Sequence, residues 1–483
     1  MKDGLYWVNQ FKTGAVAPAE FYQQVDKKIQ TLNPQLNALI SWDLAQAKKD
    51  FNQGNYNETQ TFYGLPIPLK ILGQEKKGWP ATLASQLFKD ALAQKTSNFT
   101  KKIIASGLVP AGQSNSPEFG FKNITDPELY GVTRNPWNLE HSPGGSSGGA
   151  AAAVASGIFP IAGASDGGGS IRIPASFSGL IGLKPTRGAM PTGPGQYRGW
   201  QGASIDFALT VSMRDTEHLF LQLRGNPKAA PYHPPKDEWQ DTRLDRPFKI
   251  AFLTESPVGT QVSDEAITAT KKMAAELQQQ GHSVTEIAYP VDGVALMESY
   301  YLMNGAETAA MFSGISKQLG KALTQKDMEL ITWGLYQYGT NVPVEKYIQA
   351  LQLWDSAAEA MEKLFSDYDL LLTPTTAFPA PRIDQDLQSD SIRQQLSAIE
   401  ELSVGQQGEL IYQMFEPSLT LSPFTQLANL TGQPAISLPT HVTKEGLPLG
   451  VQFMTSKGQE DLLLQIGYQL EAQDLFKLPA AYQ

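Results

Sequence analysis

The sequence predicts an α/β fold in which helices flank a central β-sheet. Short apolar segments bounded by proline or glycine alternate along the chain with longer segments whose apolar residues show helical spacing. Residues 249–290 contain a strand, a helix and a second strand, the unit that joins parallel strands. The chain has 483 residues, of which 41% are hydrophobic, so it is long enough to bury a large core.

The N-terminal third is predicted to begin with helices and to alternate afterwards. Apolar spacing indicates a helix over 18–33, which we expect the following proline to end. The apolar, proline-marked residues 61–70 predict a short strand, and residues 102–111 predict a helix followed by a strand. Further along, an alanine-rich helix is expected to close at Gly157 before a strand over 158–162.

The middle of the chain contains the strand–helix–strand unit. Residues 225–247 are rich in proline and charge and indicate a boundary or a surface loop. Residues 249–256 predict a strand, Ser263 is expected to cap a helix that ends near Gly281, and residues 283–290 predict a second strand. This unit favours a mostly parallel sheet.

The C-terminal part is predicted to be mainly helical at first and mixed later. Residues 292–366 have helical spacing and many aromatic side chains, and residues 370–381 predict a buried strand that leads into a proline-rich loop. We expect this helical segment and the loop after Pro374 to shape a substrate pocket. Residues 418–483 predict a helix, two strands and a final helix.

Composition excludes several classes of function. The formal net charge is −10, which argues against a surface for nucleic acids or anionic membranes, because such surfaces need clustered cations. The chain has no cysteine, which excludes thiolate metal sites and a cysteine nucleophile. Its five histidines are scattered without metal-ligand spacing, so we expect neither a metal nor a cofactor.

Targeting signals are not evident in the sequence. The first 14 residues have no apolar run of the kind found in signal peptides. The most apolar stretch, residues 150–164, is shorter than the roughly 20 residues that a membrane-spanning helix needs. We therefore expect a cytoplasmic protein that does not enter a membrane.

Two glycine clusters, each followed or interrupted by serine, stand out in residues 141–180. Flexible loops are one interpretation, but both clusters lie between strongly apolar segments. A phosphate-binding loop is disfavoured because the GxxxxGK[ST] pattern is absent. The third interpretation is an oxyanion hole, in which the backbone N–H groups of residues 167–170 surround one oxygen beside the hydroxyl of Ser170.

A serine nucleophile needs a base within hydrogen-bond distance, and no histidine stands out for that role. Lys70 ends the apolar segment 65–70 and fits the role if burial keeps its amine neutral. The alternative interpretation is an edge-strand lysine that reaches solvent.

Several of these segments resemble the amidase signature of the Ser–cis-Ser–Lys hydrolases. The resemblance rests on GGSSGG, on GGSIRIPASF, on GLKPT and on the spacing of 24 residues from Ser146 to Ser170. Segments elsewhere also resemble family landmarks, namely residues 32–39, 64–70, 112–120, 369–376 and 430–439. The sequence looks most similar to the branch of amidases that includes the 6-aminohexanoate-cyclic-dimer hydrolases.

The resemblance implies a role for each residue of a catalytic relay. Ser170 resembles the nucleophile, Ser146 resembles the serine that follows a cis peptide bond and bridges nucleophile and base, and Lys70 resembles the base. The chain departs from the family pattern in two places, because Ile71-Leu72 follows Lys70 where many members have an acidic residue and Ala150 stands where serine is frequent. Neither departure removes a catalytic group.

The resemblance also implies an oxyanion hole and residues that support it. The oxyanion hole is expected at Gly167, Gly168, Gly169 and Ser170. Ser147, Asp166 and Arg172 are expected to be supporting residues, with an ion pair between the last two that holds the loop.

As a whole, the resemblance implies one amidase domain over residues 1–483, with a signature core over about 61–215 and a mixed sheet flanked by helices. The implied reaction is hydrolysis of a small-molecule amide through an acyl-enzyme, without cofactor or metal, by a monomer or homodimer. The alternatives are an A-type subunit of glutamyl-tRNA amidotransferase, a hydrolase of cyclic or linear 6-aminohexanoate oligomers, and a binding protein without catalysis.

Overall fold

The computed structural model describes residues 1–54, 56–235 and 244–483. Its helices are α1 (Gly4–Lys12), α2 (Pro18–Leu36), α3 (Leu44–Gln53), α4 (Asn98–Ala105), α5 (Gly148–Ala155), α6 (Arg172–Ser178), α7 (Met213–Leu223), α8 (Asp264–Gln279), α9 (Gly293–Leu319), α10 (Leu330–Asn341), α11 (Val344–Asp367), α12 (Asp390–Ser397), α13 (Val404–Leu421), α14 (Gln426–Thr431) and α15 (Glu460–Ala472). Its strands are β1 (Leu39–Trp42), β2 (Pro66–Lys70), β3 (Val109–Ser114), β4 (Ala162–Asp166), β5 (Ile181–Lys184), β6 (Ile205–Thr210), β7 (Lys249–Phe252), β8 (Ser283–Glu286), β9 (Leu370–Pro374), β10 (Ala435–Val442) and β11 (Pro448–Met454).

The strands form one large sheet and one small sheet. The large sheet has the order β4-β6-β5-β10-β11-β9-β7-β8, and the small sheet has the order β1-β3-β2. In the large sheet only β9, β7 and β8 run parallel, and the other neighbours are antiparallel. The predicted mixed α/β architecture is therefore confirmed. The expectation of a mostly parallel sheet is wrong, because the strand–helix–strand unit builds only one edge of it.

Local predictions hold best where an element has clear end signals. The Ser263 side chain accepts a hydrogen bond from the Ala266 N–H and caps α8, which ends two residues before Gly281 as expected. The strands β7 and β8 on either side of α8 pair in parallel. The helical segment 292–366 corresponds to α9, α10 and α11. Part of the predicted loop 225–247, residues 236–243, lies outside the described residues.

Two local predictions need correction. The helix α2 continues past Pro34 to Leu36, because a proline removes only its own backbone N–H bond and its fixed φ is compatible with a helix. The helix ends at Asn37, whose N–H donates to the Asn33 carbonyl at 2.8 Å. The strand predicted over 158–162 lies instead over 162–166, because the N–H groups of residues 158 and 159 still donate to the carbonyl of Ala153 in α5.

The candidate catalytic segments meet between the two sheets. The helix α5 is entirely buried and packs against β2, β3 and β4, while α6 packs against β5, β10 and β11. As a result, the end of β2, the start of α5 and the loop between β4 and α6 lie side by side. Within the described residues, no helix is long and apolar enough to span a membrane.

Candidate active site

Lys70 lies at the end of β2 and is fully buried. Its Nζ donates to Ser146 Oγ at 2.8 Å and to Ser165 Oγ at 3.0 Å. Burial lowers the pKa of Lys70 to about 7, although the nearby carboxylates of Asp206 and Asp166 act in the opposite direction. The structure therefore contradicts the interpretation of Lys70 as an edge lysine reaching solvent, and it places a partly neutral amine against a serine hydroxyl.

Ser146 lies immediately before α5, at a peptide bond of unusual geometry. The Gly145–Ser146 bond is cis, as the family resemblance implies. Gly145 has no room for a side chain, because a Cβ there would lie 2.6 Å from the Ile124 carbonyl oxygen. The adjacent backbone and the hydrogen bond from Lys70 together hold the Ser146 hydroxyl beside the cavity that contains Ser170.

Ser165 is a buried site residue that sequence reasoning did not identify. It receives a hydrogen bond from Lys70, and Ser147 fixes its backbone in two ways. The Ser147 Oγ donates to the Ser165 carbonyl at 3.2 Å and accepts from the Ser165 N–H at 3.3 Å. Hydrogen bonds through Ser165 thus connect the predicted supporting residue Ser147 to Lys70. The only sequence signal was the position of Ser165 next to Asp166, just before the glycine cluster.

Asp166 and Arg172 form a fully buried ion pair beneath the glycine loop, with 2.9 Å between Asp166 Oδ1 and Arg172 Nη2. The Asp166 carboxylate also accepts from the N–H groups of Gly169 and Ile171 and from the amide of Asn429. Burial by itself would raise the pKa of Asp166, but the Arg172 guanidinium and these donors hold it well below the ordinary range. This carboxylate therefore remains ionised and anchors both ends of the loop.

The glycine loop presents fewer free donors than the sequence led us to expect. The N–H of Gly169 donates to Asp166 Oδ1 at 2.7 Å, which removes it from the predicted oxyanion hole. The N–H groups of Gly167, Gly168 and Ser170 have no protein acceptor among the residues that the structure describes. The Gly169 N–H is lost to the oxyanion hole because it points inward, toward the buried Asp166 carboxylate beneath the loop.

Gly169 is required at its position for two reasons. Its φ of +130° lies in the region that side chains disfavour, and a Cβ there would lie 2.3 Å from Thr425 Oγ1. Ser170 follows directly, is half-buried and lines the same cavity as Ser146. Its hydroxyl makes no side-chain hydrogen bond within the described part of the chain.

A cavity of about 570 Å³ opens onto the candidate catalytic residues. The helical segment 292–366 contributes α9 alone, through Met297, Tyr300, Tyr301, Asn304 and Met311. Five further aromatic residues line the cavity and were missed from the sequence, namely Phe99, Phe119, Phe121, Trp200 and Phe415. The expectation that the loop after Pro374 shapes the pocket is wrong for the described residues, because that loop lies away from the lining.

Asp206 is a second site residue that sequence reasoning missed. It lies on β6 opposite Ser165, and it lines the cavity. Burial raises the pKa of Asp206 to about 7, Glu75 adds to the rise, and a hydrogen bond from Gln74 and the charge of Lys70 oppose it. The Gln74 side chain joins both groups, because it donates to Asp206 at 3.4 Å and accepts from the Lys70 N–H at 3.0 Å. A second ionisable group therefore lies close to the lysine.

Metal-ligand geometry is not found in the described part of the chain. No group of three or more histidine, aspartate or glutamate side chains in residues 1–54, 56–235 and 244–483 is placed to hold a metal ion. The groups closest to Ser170 and Ser146 are instead hydroxyls, the Lys70 amine and backbone N–H donors. Such a set is typical of acyl transfer by a serine nucleophile.

The fold and this set of groups define a family. The family model described as Amidase matches residues 20–464 of the chain. The chain therefore belongs to the amidase family. The family resemblance proposed from the glycine and serine motifs is confirmed.

Individual relatives are similar over most of this chain. Lipoamidase from Enterococcus faecalis is 42% identical over 440 residues, which are 90% of this chain and 58% of that protein, so the chain spans less than two thirds of its length. The 6-aminohexanoate-cyclic-dimer hydrolase from Paenarthrobacter ureafaciens is 31% identical over 95% of this chain and 92% of that protein. A solved structure of 6-aminohexanoate cyclic dimer hydrolase complexed with substrate has a TM-score of 0.89 at 29% identity, covering 100% of this chain and 99% of that chain.

Proposed function

We propose that this protein hydrolyses amides through a Ser170–cis-Ser146–Lys70 relay and an acyl-enzyme intermediate. The observation that carries the proposal is the 2.8 Å hydrogen bond from the buried Lys70 amine to Ser146, at the cavity that Ser170 also lines. A neutral lysine amine is a base, and burial favours its neutral form.

In the proposed mechanism, Lys70 takes the Ser146 proton while Ser146 takes the Ser170 proton. The Ser170 oxygen attacks the amide carbonyl, and the N–H groups of Gly167, Gly168 and Ser170 stabilise the negative oxygen that forms. The proton returns through Ser146 to the nitrogen, the C–N bond breaks, and the amine departs. Water then attacks the acyl-enzyme by the same relay and releases the acid.

Replacement of the nucleophile tests this mechanism. Ser170→Ala is expected to abolish turnover and to prevent the covalent adduct that a fluorophosphonate forms with the wild-type enzyme, as read by intact mass. Ser176→Ala is the matched control, because this buried serine lies on α6 and bonds Thr376 and Gly450 outside the cavity. Retention of more than a few per cent of the wild-type rate by Ser170→Ala would contradict the assignment.

The acyl part of the substrate is proposed to be a flexible apolar chain. The cavity wall formed by Phe119, Met297, Tyr301, Phe415 and Leu419 is apolar, and methionine adapts its shape to unbranched ligands. Two relatives are named for lipoamide and for the 6-aminohexanoate cyclic dimer, amides with unbranched methylene segments that the second closes into a ring. Both compounds, a short-chain amide and glutamine form the first set for a hydrolysis screen read by amine release.

The result of that screen distinguishes the proposal from the amidotransferase alternative. We expect higher kcat/KM for the two long-chain amides than for the short-chain amide, and little turnover of glutamine. A preference for glutamine, together with a requirement for a partner protein, would favour an amidotransferase subunit. We further propose that the enzyme is cytoplasmic, which cell fractionation would check. It is proposed to act without nucleic acid or cofactor, as a monomer or homodimer, and size-exclusion chromatography of the active protein would measure its oligomeric state.

A further inference from the structure

Tyr300 on α9 contacts the glycine loop from a helix that lies 133 residues away in sequence. Its hydroxyl donates to the carbonyl of Gly167 at 3.0 Å. The hydroxyl also lies against the next residue, since a Cβ at Gly168 would be only 2.6 Å from it. The Tyr300 hydroxyl therefore packs directly on the peptide that joins Gly167 and Gly168.

A planar trans peptide links the directions of its two polar groups. The C=O and N–H of one trans peptide point in opposite directions. The neighbouring peptide shows this relation, because Thr425 Oγ1 donates to the Gly168 carbonyl at 2.7 Å while the Gly169 N–H donates to Asp166. On the Gly167–Gly168 peptide, the bond from Tyr300 likewise sets the direction of the Gly168 N–H.

The Tyr300 hydroxyl is itself held by neighbouring side chains. The side chain of Asn304 hydrogen-bonds this hydroxyl, and the Asn304 Oδ1 accepts from the Trp200 indole N–H. The Gly167 carbonyl can only accept, so the single hydroxyl proton of Tyr300 goes to it and the Asn304 amide N–H donates to the hydroxyl oxygen. Burial raises the pKa of Tyr300 to about 12, so the hydroxyl remains a donor at neutral pH.

We propose that Tyr300 is a positioning residue of the oxyanion hole, which aims the Gly168 N–H at the substrate oxygen by holding the Gly167 carbonyl. The inference rests on the proposed function, because it assumes that an oxyanion forms at this loop. Preorganised donors stabilise a transition state more than a ground state, so the hydroxyl contributes to kcat more than to KM.

The test is Tyr300→Phe, which removes only the hydroxyl. We expect kcat to fall by about ten- to a hundredfold, less than the roughly hundred- to thousandfold cost of losing an oxyanion donor, because the Gly168 N–H loses its direction but is not removed. KM should change by less than about threefold. The affinity for an aldehyde analogue, which forms an oxyanion on the nucleophile, should fall by a similar factor. The affinity for the corresponding primary alcohol, which has no carbonyl, should be retained.

The matched control is Tyr22→Phe, which removes a similar bond, from a buried tyrosine hydroxyl to the Gly64 carbonyl at 2.9 Å, away from the cavity. This control should keep the wild-type kcat. Thr425→Val should lower kcat less than Tyr300→Phe does. Thr425 holds the peptide that joins Gly168 and Gly169, and the N–H of that peptide already donates to Asp166. Equal losses in Tyr300→Phe and Thr425→Val, or unchanged aldehyde affinity in Tyr300→Phe, would overturn the inference.

Failure of the inference and failure of the proposed function give different results. If the wild-type enzyme forms no adduct at Ser170 with a fluorophosphonate, the proposed function fails. If the adduct forms and Tyr300→Phe keeps the wild-type kcat, only the role of Tyr300 fails. Thermal melting of each variant shows whether a loss of rate reflects a loss of folding.

Discussion

At Lys70, burial and charge act in opposite directions on the same amine. Loss of water around the side chain disfavours the ammonium, and the carboxylates of Asp206 and Asp166 favour it, with a resulting pKa of about 7. Hydrogen bonds to Ser146 and Ser165 orient the amine. The proposed base is therefore half neutral close to physiological pH, where an amine in water is almost fully protonated.

The pH dependence of the rate follows from this pKa. Because the neutral amine is the active form, kcat/KM is expected to rise with pH through about 7 and then to level off. Lys70→Ala should remove this rising limb of the pH profile and lower the rate by orders of magnitude. Lys70→Arg should be nearly as damaging, since a guanidinium keeps its proton. If a histidine-to-glutamine variant removes the limb while Lys70→Ala keeps it, the base is a histidine.

Asp206 should set the position of that limb. An ionised Asp206 favours the Lys70 ammonium, so Asp206→Asn should lower the pKa of Lys70 and move the limb to lower pH. Glu75 raises the pKa of Asp206, so Glu75→Gln should leave Asp206 ionised over a wider range and move the limb to higher pH. Profiles of kcat/KM against pH for the two variants measure these opposite shifts. Shifts in the same direction would contradict the electrostatic coupling.

Among the elements, the segment from β4 through the glycine loop to α6 depends on one buried ion pair. Asp166 ends β4 and Arg172 begins α6, and both side chains are inaccessible to solvent. Arg172 also donates to the Thr425 carbonyl at 2.7 Å and to Gln452 at 2.7 Å, which ties the segment to α14 and β11. This pair positions the loop and joins it to distant parts of the sheet.

Arg172→Met is expected to destabilise the fold by about 3–5 kcal/mol, because it leaves the Asp166 carboxylate buried without its partner. Urea unfolding followed by circular dichroism measures the change. Arg393→Met is the control, since Arg393 pairs with Asp386 and Asp390 at an exposed position, where ion pairs contribute little. An effect of Arg172→Met no larger than that of the control would show that the buried pair is dispensable.

The ion pair between Asp166 and Arg172 also makes the free energy of unfolding depend on pH. The pKa of Asp166 in the folded protein lies below its ordinary value of 3.8, so its contribution is complete above that pH and is lost as the pH falls further. The stability difference between the wild type and Asp166→Asn should therefore narrow on acidification below that value. Unfolding at several pH values would measure this trend.

For the molecule as a whole, the main apolar core includes residues from both ends of the chain. Val8 and Tyr482 belong to one buried cluster, and the Tyr482 hydroxyl donates to the carbonyls of Val154 and Phe159 around α5. This shared core supports our interpretation of residues 1–483 as one domain. The candidate catalytic segments are held from both sides by the same packing.

Catalysis is expected to be independent of metal ions and thiols. The chain contains no cysteine and only five scattered histidines, and the proposed relay needs only hydroxyls and an amine. Dialysis against a strong chelator and treatment with a thiol reagent should leave the rate unchanged. A rate that is lost on dialysis and restored by zinc or manganese would contradict this prediction.

The sequence by itself determined the local features of the protein. Glycine and serine clusters located the loop at 167–170, cap residues located α8, and the apolar segment before Lys70 located a candidate base. These features depend on neighbours in sequence, since backbone conformation and strand or helix preference are local properties. The family resemblance added the relation between Lys70, Ser146 and Ser170.

Only the tertiary structure decided what surrounds these residues. Ser165, Asp206 and Tyr300 reach the site through strand register and helix packing between distant segments, for which no local pattern exists. Tertiary packing also decided that a buried carboxylate takes the Gly169 N–H, and that most strands of the large sheet are antiparallel. Local sequence specifies which groups can react, and long-range packing specifies their charge, their free donors and their direction.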